Sequence, residues 1–257
     1  MKYTRSTIYR DFLSLVYTRK IGHIGSCLSV LDILLAIYFH LKKRGDRVLL
    51  SKGHAAPALY IVLAANGVLS KQLLATFHAN GTTLPMHIPH AFIKNEIPFA
   101  SGSLGHGLSL SAGMAHANKL QKRKGNIYCI MSDGECNEGQ VWEAAAYAAQ
   151  NALNNLIVFI DVNHIQAFGK TKDVLGEVTA EKWYAFGWNT YECNGHSIKD
   201  IVKTTQKIKS SSDKPTVILC DTIKGFNLSF FENTIESHYL PLTEKQYLQG
   251  LKKVKSL

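Results

Sequence analysis

Short apolar runs alternate along the chain with longer stretches of helical period. Arg47–Leu50 (RVLL) closes on a Ser-Lys-Gly turn, and Ile127–Met131 reads IYCIM. Leu156–Asp161 (LIVFID) is apolar almost throughout, which predicts a strand covered on both faces. Trp188–Cys193 and Thr216–Cys220 (TVILC) are further strand candidates. Helical spacing covers Leu28–Leu41, Ala55–Asn66, Leu104–Gln121, Gly139–Leu153, Ala180–Phe186 and Ile198–Ser210. Strands alternating with helices predict βαβ units, hence an α/β fold: a doubly wound, mostly parallel sheet with helices on both faces. No repeat, low-complexity tract or Pro/Gly/Ser-rich linker divides the sequence, so residues 1–257 are expected to form a single domain.

Composition narrows the class. Hydrophobic residues make up 46% and charged residues 19%, ordinary values for a soluble globular chain. At 257 residues such a chain can bury a core without staples. The cysteines, Cys27, Cys129, Cys136, Cys193 and Cys220, are odd in number and form no Cys-x-x-Cys pair. That argues against a zinc site or a disulfide framework and for reduced thiols. The N-terminus, MKYTRSTIYRDF, is too polar for a signal peptide, and apolar stretches such as Leu31–Leu41 and Leu156–Ile160 are too short to cross a bilayer. A cytoplasmic protein with no membrane contact is expected.

The net charge is +10 and the pI about 9.3. The basic residues are scattered and no nucleic-acid motif accompanies them, so no nucleic-acid partner is expected. The densest cluster, LKKVKSL at the C-terminus, reads as a solvated helix face or tail. A positive field also attracts anionic small molecules.

In open parallel sheets, ligands bind beyond the carboxyl ends of the strands. Ser132-Asp133-Gly134 follows one strand and Asp161-Val162-Asn163-His164-Ile165 follows the next. If those strands are neighbours, Asp133 and Asn163 converge on one crevice. A carboxylate, an amide oxygen and a main-chain carbonyl suit Mg²⁺, which fills its remaining positions with water and phosphate oxygens. Gly134 leaves room for a diphosphate near its amide, and a helix starting around Asn137–Gly139 would aim its positive end there. Taken alone, Asp-Gly after a strand is only a turn signal.

The segment SDGECNEGQVWEAAAYAAQNALNNLIVFIDVN resembles the thiamine-diphosphate motif, which begins Gly-Asp-Gly and ends in a paired Asn; DVNHIQ is similar to its transketolase form. Ser132 stands where the motif has its first glycine. LSKGHAAPALY resembles the transketolase segment with a cofactor-contacting His, here His54, with Lys52 beside it. IGHIGS resembles the early Gly-His segment and places His23 near thiazolium and substrate. SGSLGHGL resembles the SLGQG-like loop that lays Gly102 and Leu104 against the cofactor, with His106 replacing Gln. TIKGFNLSFFENTIESHY is similar to the family's Lys-Gly and Trp-His segment, so Lys224 and His238 would face diphosphate and substrate, while Ser237 replaces Trp. LPMHIPH matches a Gly-His-Pro loop through His87, with His90 as the other alignment.

The matched motifs run from Gly22 to His238. The resemblance implies the thiamine-diphosphate-binding fold and transfer of a two-carbon ketol unit from a ketose phosphate to an aldose acceptor. It implies thiamine diphosphate and Mg²⁺ (or Ca²⁺ or Mn²⁺) as cofactors. Asp133, Asn163 and the carbonyl of Ile165 would hold the metal. Lys52, Gly102, Leu104, Gly134 and Lys224 would help bind the cofactor. Proton transfer at sugar hydroxyls suits His23, His54, His87 and His238, since histidine titrates near neutrality. The family sets glutamates matching Glu138 and Glu143 in a subunit interface near the cofactor. A buried acid at Glu143, in the Ala-rich VWEAAAYAA, would need a partner. Glu138 could equally be a first-turn carboxylate complementing the helix dipole. Other histidines, including His78, His116 and His196, read as hydrogen-bonded structural residues.

A full transketolase has a second domain that supplies a cofactor-activating glutamate and phosphate-binding arginines, and this sequence holds neither. The resemblance therefore implies a separate C-terminal transketolase-like subunit, with two copies of each chain in a heterotetramer. Two other readings stay open: a related thiamine-diphosphate-dependent synthase subunit in a specialised sugar pathway, and a non-catalytic scaffold derived from the fold.

Overall fold

A computed structural model describes residues 3–89, 96–209 and 211–257. His90 and Ser210 lie outside the described residues. The helices are α1 (Arg5–Arg19), α2 (Ile24–Ala36), α3 (Ala56–Ala65), α4 (Lys71–Leu74), α5 (His106–Leu120), α6 (Gly139–Gln150), α7 (Ala180–Ala185), α8 (Ile198–Thr205), α9 (Glu236–Tyr239) and α10 (Glu244–Lys253). The strands are β1 (Arg47–Leu50), β2 (Ile127–Ser132), β3 (Leu156–Val162), β4 (Ile165–Gln166), β5 (Gly169–Lys170), β6 (Asn189–Asn194) and β7 (Thr216–Asp221). Five of them form one sheet in the order β1-β2-β3-β7-β6, and every neighbouring pair is parallel. β4 and β5 form a separate antiparallel hairpin.

Alternation along β2 builds two cores. Tyr128 and Ile130 point into the one made with α1, α2, α3 and α8; Ile127, Cys129 and Met131 point into the other, with α5, α6 and α7. The crossovers account for this division. β2 to β3 runs through α6, and β3 to β6 through α7, moving the same way across the sheet. β6 returns to β7 through α8, and right-handed crossover then requires the opposite face. The crevice at the carboxyl ends of β2, β3 and β7 therefore has helices closing in from both sides.

The predicted strands and helices are present with ends shifted by a few residues; the β4–β5 hairpin, α4, α9 and, longest of them, α1 are additional elements. The signals for α1 are local. Thr4 caps it in a capping box with Thr7, and Ile8, Tyr9, Phe12, Leu13 and Val16 form one buried face. The apolar helix near the N-terminus is longer than its sequence run. α2 passes into a π-turn at Ile37–Leu41, giving 18 residues, Ile24–Leu41, of mean hydropathy 1.9. Length and composition alone would let it cross a membrane, but 89% of it is buried in the protein, as befits a core helix. All five cysteines are free and buried.

Candidate active site

β2 and β3 pair in register up to Ser132 opposite Asp161, so both chains leave the sheet at the same level. Asp133 is the next residue after β2 and is buried. Its Oδ1 accepts the Gly134 amide at 2.9 Å; its Oδ2 accepts the His164 amide at 2.7 Å and the Thr171 hydroxyl at 3.0 Å. Burial raises the Asp133 carboxyl above its ordinary value, and the charge of Asp161 adds to that, against the three donors. Net negative charge at this strand end is thus incompletely compensated, and an added cation would relieve it.

Asn163 is also buried; its Oδ1 accepts the Ile165 amide at 3.2 Å. The Ile165 carbonyl accepts Lys224 Nζ at 2.9 Å, so an ammonium already occupies one side of this oxygen cluster. Lys224 Nζ also meets His238 Nδ1 at 3.2 Å. Burial and then the nearby Lys52 charge lower Lys224 to about 8, leaving it mostly charged at neutral pH.

Four histidines from four segments gather above this floor. His23 precedes α2 in a left-handed conformation, and His54 sits in the turn Gly53–Ala55 before α3. His238 comes from α9, and His87 from the exposed loop before residue 90. The ring centroid of His23 lies 4.7 Å from His238, 5.2 Å from His54 and 6.2 Å from His87. Burial lowers His23 to about 4 and His238 to about 3, helped by His87 and Lys224 at the first and Lys224 at the second. Burial, then Lys52, holds His54 well below its ordinary value. These three imidazoles are neutral at pH 7, and each has a ring nitrogen able to accept a hydrogen bond. His23 Nδ1 is buried and has no hydrogen-bond partner among the described residues. Such an atom is costly unless a ligand satisfies it.

A cleft of about 330 Å³ unites these groups, lined by all four histidines and by Asp133, Gly134, Asn163, Ile165, Lys224, Gly102, Leu104 and Glu138. A second cleft of about 390 Å³, against α1 and α4, carries only Asp11, Arg19 and Lys71 as charged lining and no histidine. Gly53 packs tightly beside the site: a Cβ there would stand 2.2 Å from the Ser101 carbonyl oxygen. The space beside Gly134 is filled by Gln166 of β4, 2.9 Å from where a Cβ would be, so its bareness serves the hairpin as well as the cleft.

Two of the predicted site residues do not line the cleft. Lys52 is fully buried beneath it, in an ion pair with Asp161. Glu143 is exposed on α6 in the single chain, while the alanines beside it, Ala144 and Ala145, take the inward positions, so within this chain it needs no buried partner. Glu138 is exposed at the cleft. His106, at the start of α5, is exposed, and Ser237 is buried with its hydroxyl donating to the Thr234 carbonyl at 2.7 Å.

The structure adds two buried acids to those singled out in the sequence. Glu135 accepts the Gly105 amide at 2.7 Å and the Ser51 hydroxyl, joining the loop of Gly102 and Leu104 to the strand end that carries Asp133. Asp161 accepts Lys52, Ser29 and Thr222. An acid ending an apolar parallel strand was a legible signal, because a buried charge there requires a partner.

A parallel sheet with its polar groups gathered at one carboxyl edge defines an α/β protein built to hold an anionic cofactor. A sequence model of the family described as transketolase, thiamine diphosphate binding domain, matches residues 8–255. The chain belongs to this family. It is 40% identical over 237 residues to the 6-deoxy-6-sulfo-D-fructose transketolase subunit of Clostridium sp. (strain MSTE9), covering 88% of this chain and 86% of that one. It is 36% identical over 255 residues to an apulose-4-phosphate transketolase subunit of Phocaeicola vulgatus, covering 95% and 90%. Among solved structures, the transketolase of Campylobacter jejuni superposes with a TM-score of 0.88 at 27% identity, covering 97% of this chain and 42% of that one. This chain thus spans about the length of the separate subunits and less than half of the transketolase whose structure it matches.

Proposed function

We propose that this chain is the cofactor-diphosphate subunit of a two-component transketolase, completed by a separate chain resembling the other half of a transketolase. The observation that carries the reading is the convergence of Asp133, Asn163, Lys224 and three neutral histidines on one cleft, in a chain of subunit length. Bound thiamine diphosphate would supply a nucleophilic carbon for the carbonyl of a ketose. The residues of this chain bind and orient around it.

Asp133, Asn163 and the Ile165 carbonyl are the donors we assign to a divalent cation, Mg²⁺ by their all-oxygen character. The uncompensated charge at Asp133 fits that assignment. Lys224 suits a diphosphate, and Gly134 lines the cleft beside it. His23, His54 and His238 are neutral at pH 7, so each has a ring nitrogen able to accept a hydrogen bond from a sugar hydroxyl and orient it. His87, exposed at the cleft mouth, meets the acceptor end.

The substrates are ketoses and aldoses with an anionic end. One relative is named for a sugar phosphate and another for a sulfonated sugar, so phosphate and sulfonate donors are both tested. We place the enzyme in the cytoplasm as a heterotetramer, two copies of each chain.

Calorimetric titration of thiamine diphosphate with Mg²⁺ tests the reading, on the chain alone and mixed with its partner, beside Asp133→Ala. Mg²⁺-dependent binding in the mixture that disappears in the variant supports it. Associated chains that take up no cofactor would leave a scaffold instead.

A further inference from the structure

Asp161 is fully buried and receives donors from four segments. Ser29 Oγ of α2 donates at 2.5 Å, Asn163 Nδ2 at 3.4 Å, and Lys52 Nζ and Thr222 Oγ1 complete the set. Lys52 is equally buried and supplies the counter-charge. The Lys52 ammonium can only donate, and the Ser29 and Thr222 hydroxyls are placed as donors, so the Asp161 oxygens act as acceptors on every side.

An ionised carboxylate can only accept, whereas a side-chain amide offers a donor at one end and an acceptor at the other. Facing Asp161, Asn163 must therefore present its nitrogen. At its other end the Ile165 amide, which can only donate, meets the Asn163 oxygen at 3.2 Å. The two constraints agree and select one of the two orientations of the amide. The reverse orientation would set an NH₂ where a cation is to be bound.

We infer that Asp161, with Lys52 as its counter-ion, is the positioning residue that fixes the Asn163 amide so that its oxygen, and not its NH₂, is offered to a divalent cation. This rests on the magnesium reading above. Residues that orient metal ligands typically affect metal affinity about 10–100-fold when removed.

The same network also ties α2, β1 and β7 together, so the test must separate positioning from support. Mg²⁺ is titrated by calorimetry into the two-chain complex with excess thiamine diphosphate. Four proteins are compared: wild type, Lys52→Met/Asp161→Leu, Asn163→Ala, and all three substitutions combined. The apolar pair is chosen because replacing a buried ion pair with apolar residues of similar size commonly preserves stability. Lys52→Met/Asp161→Leu is expected to weaken Mg²⁺ by about 10–100-fold, and Asn163→Ala by at least as much. The combined variant should bind no more weakly than the poorer of them, since both act through one amide. Unchanged affinity in Lys52→Met/Asp161→Leu, or losses that simply add, would overturn the inference while leaving the magnesium reading intact. A wild type that takes up no Mg²⁺ would overturn both. If the apolar pair does not fold, Asp161→Asn replaces it in the cycle and is read the same way, because its amide no longer dictates which end of Asn163 it faces.

Discussion

Ser132 and Asp161 are partners in the last register position of the β2–β3 ladder. From that level each strand extends by only one or two residues to reach a group of the site, Asp133 on one side and Asn163 on the other. Parallel pairing makes this possible, since both strands end at the same edge. The register also brings two acids, Asp133 and Asp161, near one another in a buried place. One has a lysine for a counter-ion, and the other has only hydrogen bonds. The asymmetry identifies the group that a cation would serve.

Asp133→Asn keeps the shape and removes the charge. Mg²⁺-dependent affinity for thiamine diphosphate should fall by at least about 100-fold, more than for a residue that only orients a ligand. The fold should persist, with a change in melting temperature of no more than roughly 5 °C, because the β2–β3 ladder is untouched. Titration beside a thermal melt checks both. Affinity within a few-fold of wild type would remove Asp133 from the metal site.

Gly53→Ala should cost about 1–3 kcal/mol, the usual range for overpacking. A Cβ there would lie 2.2 Å from the backbone oxygen of Ser101, and backbone cannot swing aside as a side chain can. Relief must come from separating the His54 turn from the segment leading to Gly102 and Leu104. Cofactor affinity should drop together with the urea midpoint. A variant as stable as wild type would show that these segments are less tightly packed than the structure has them.

Much of this arrangement is legible in the residues. The strand runs IYCIM and LIVFID, the helical stretches and the strand-end Asp133 and Asn163 can be read from period and position, because local pattern dictates them. Glu143 is not legible: which face of α6 turns inward depends on what packs against it, and a single glutamate among alanines does not say. Lys52 stands two residues before His54 and so reads as a cleft residue, yet its side chain runs the other way to Asp161, 109 positions away. Such long-range charge pairing follows from topology rather than local sequence. Helix α1 falls outside the predicted elements although its capping box and buried face are local.

Stability should decline in acid in part through the histidine cluster. The folded values of His23 and His238, about 4 and about 3, lie below the ordinary 6.5, and His54 also lies well below it. Below pH 6.5 the unfolded chain therefore binds more protons than the folded one. The stability these groups contribute is complete above pH 6.5 and is lost progressively as pH falls through their folded values. Asp133 and Glu135, both raised by burial, oppose this trend, so a difference measurement is needed. Urea midpoints of wild type and His238→Asn, taken from pH 7.5 to 4.5, should diverge below pH 6.5, with the variant falling less steeply. Parallel curves would mean that His238 gains its proton equally in both states.

Association with the partner chain should depend on the apolar rim of the cleft. Phe168 is 87% exposed and Leu175 66%, and Val174, 44% exposed, lies between them in sequence at the cleft wall. Phe168 and Val174 line the cleft, Leu175 follows Val174 directly, and large apolar side chains exposed beside a functional cleft mark a surface that another molecule covers. Burying a phenylalanine or leucine contributes roughly 1.5–3 kcal/mol, equivalent to about 10–150-fold in an association constant. Phe168→Asp and Leu175→Asp should each weaken association by that order, measured by sedimentation of the mixed chains. The single chain should keep its melting temperature, because neither side chain belongs to the buried cores. Undiminished association would move the interface to another face and leave these residues to be covered by substrate or cofactor, which the same variants would reveal as a loss of thiamine diphosphate affinity in the intact complex.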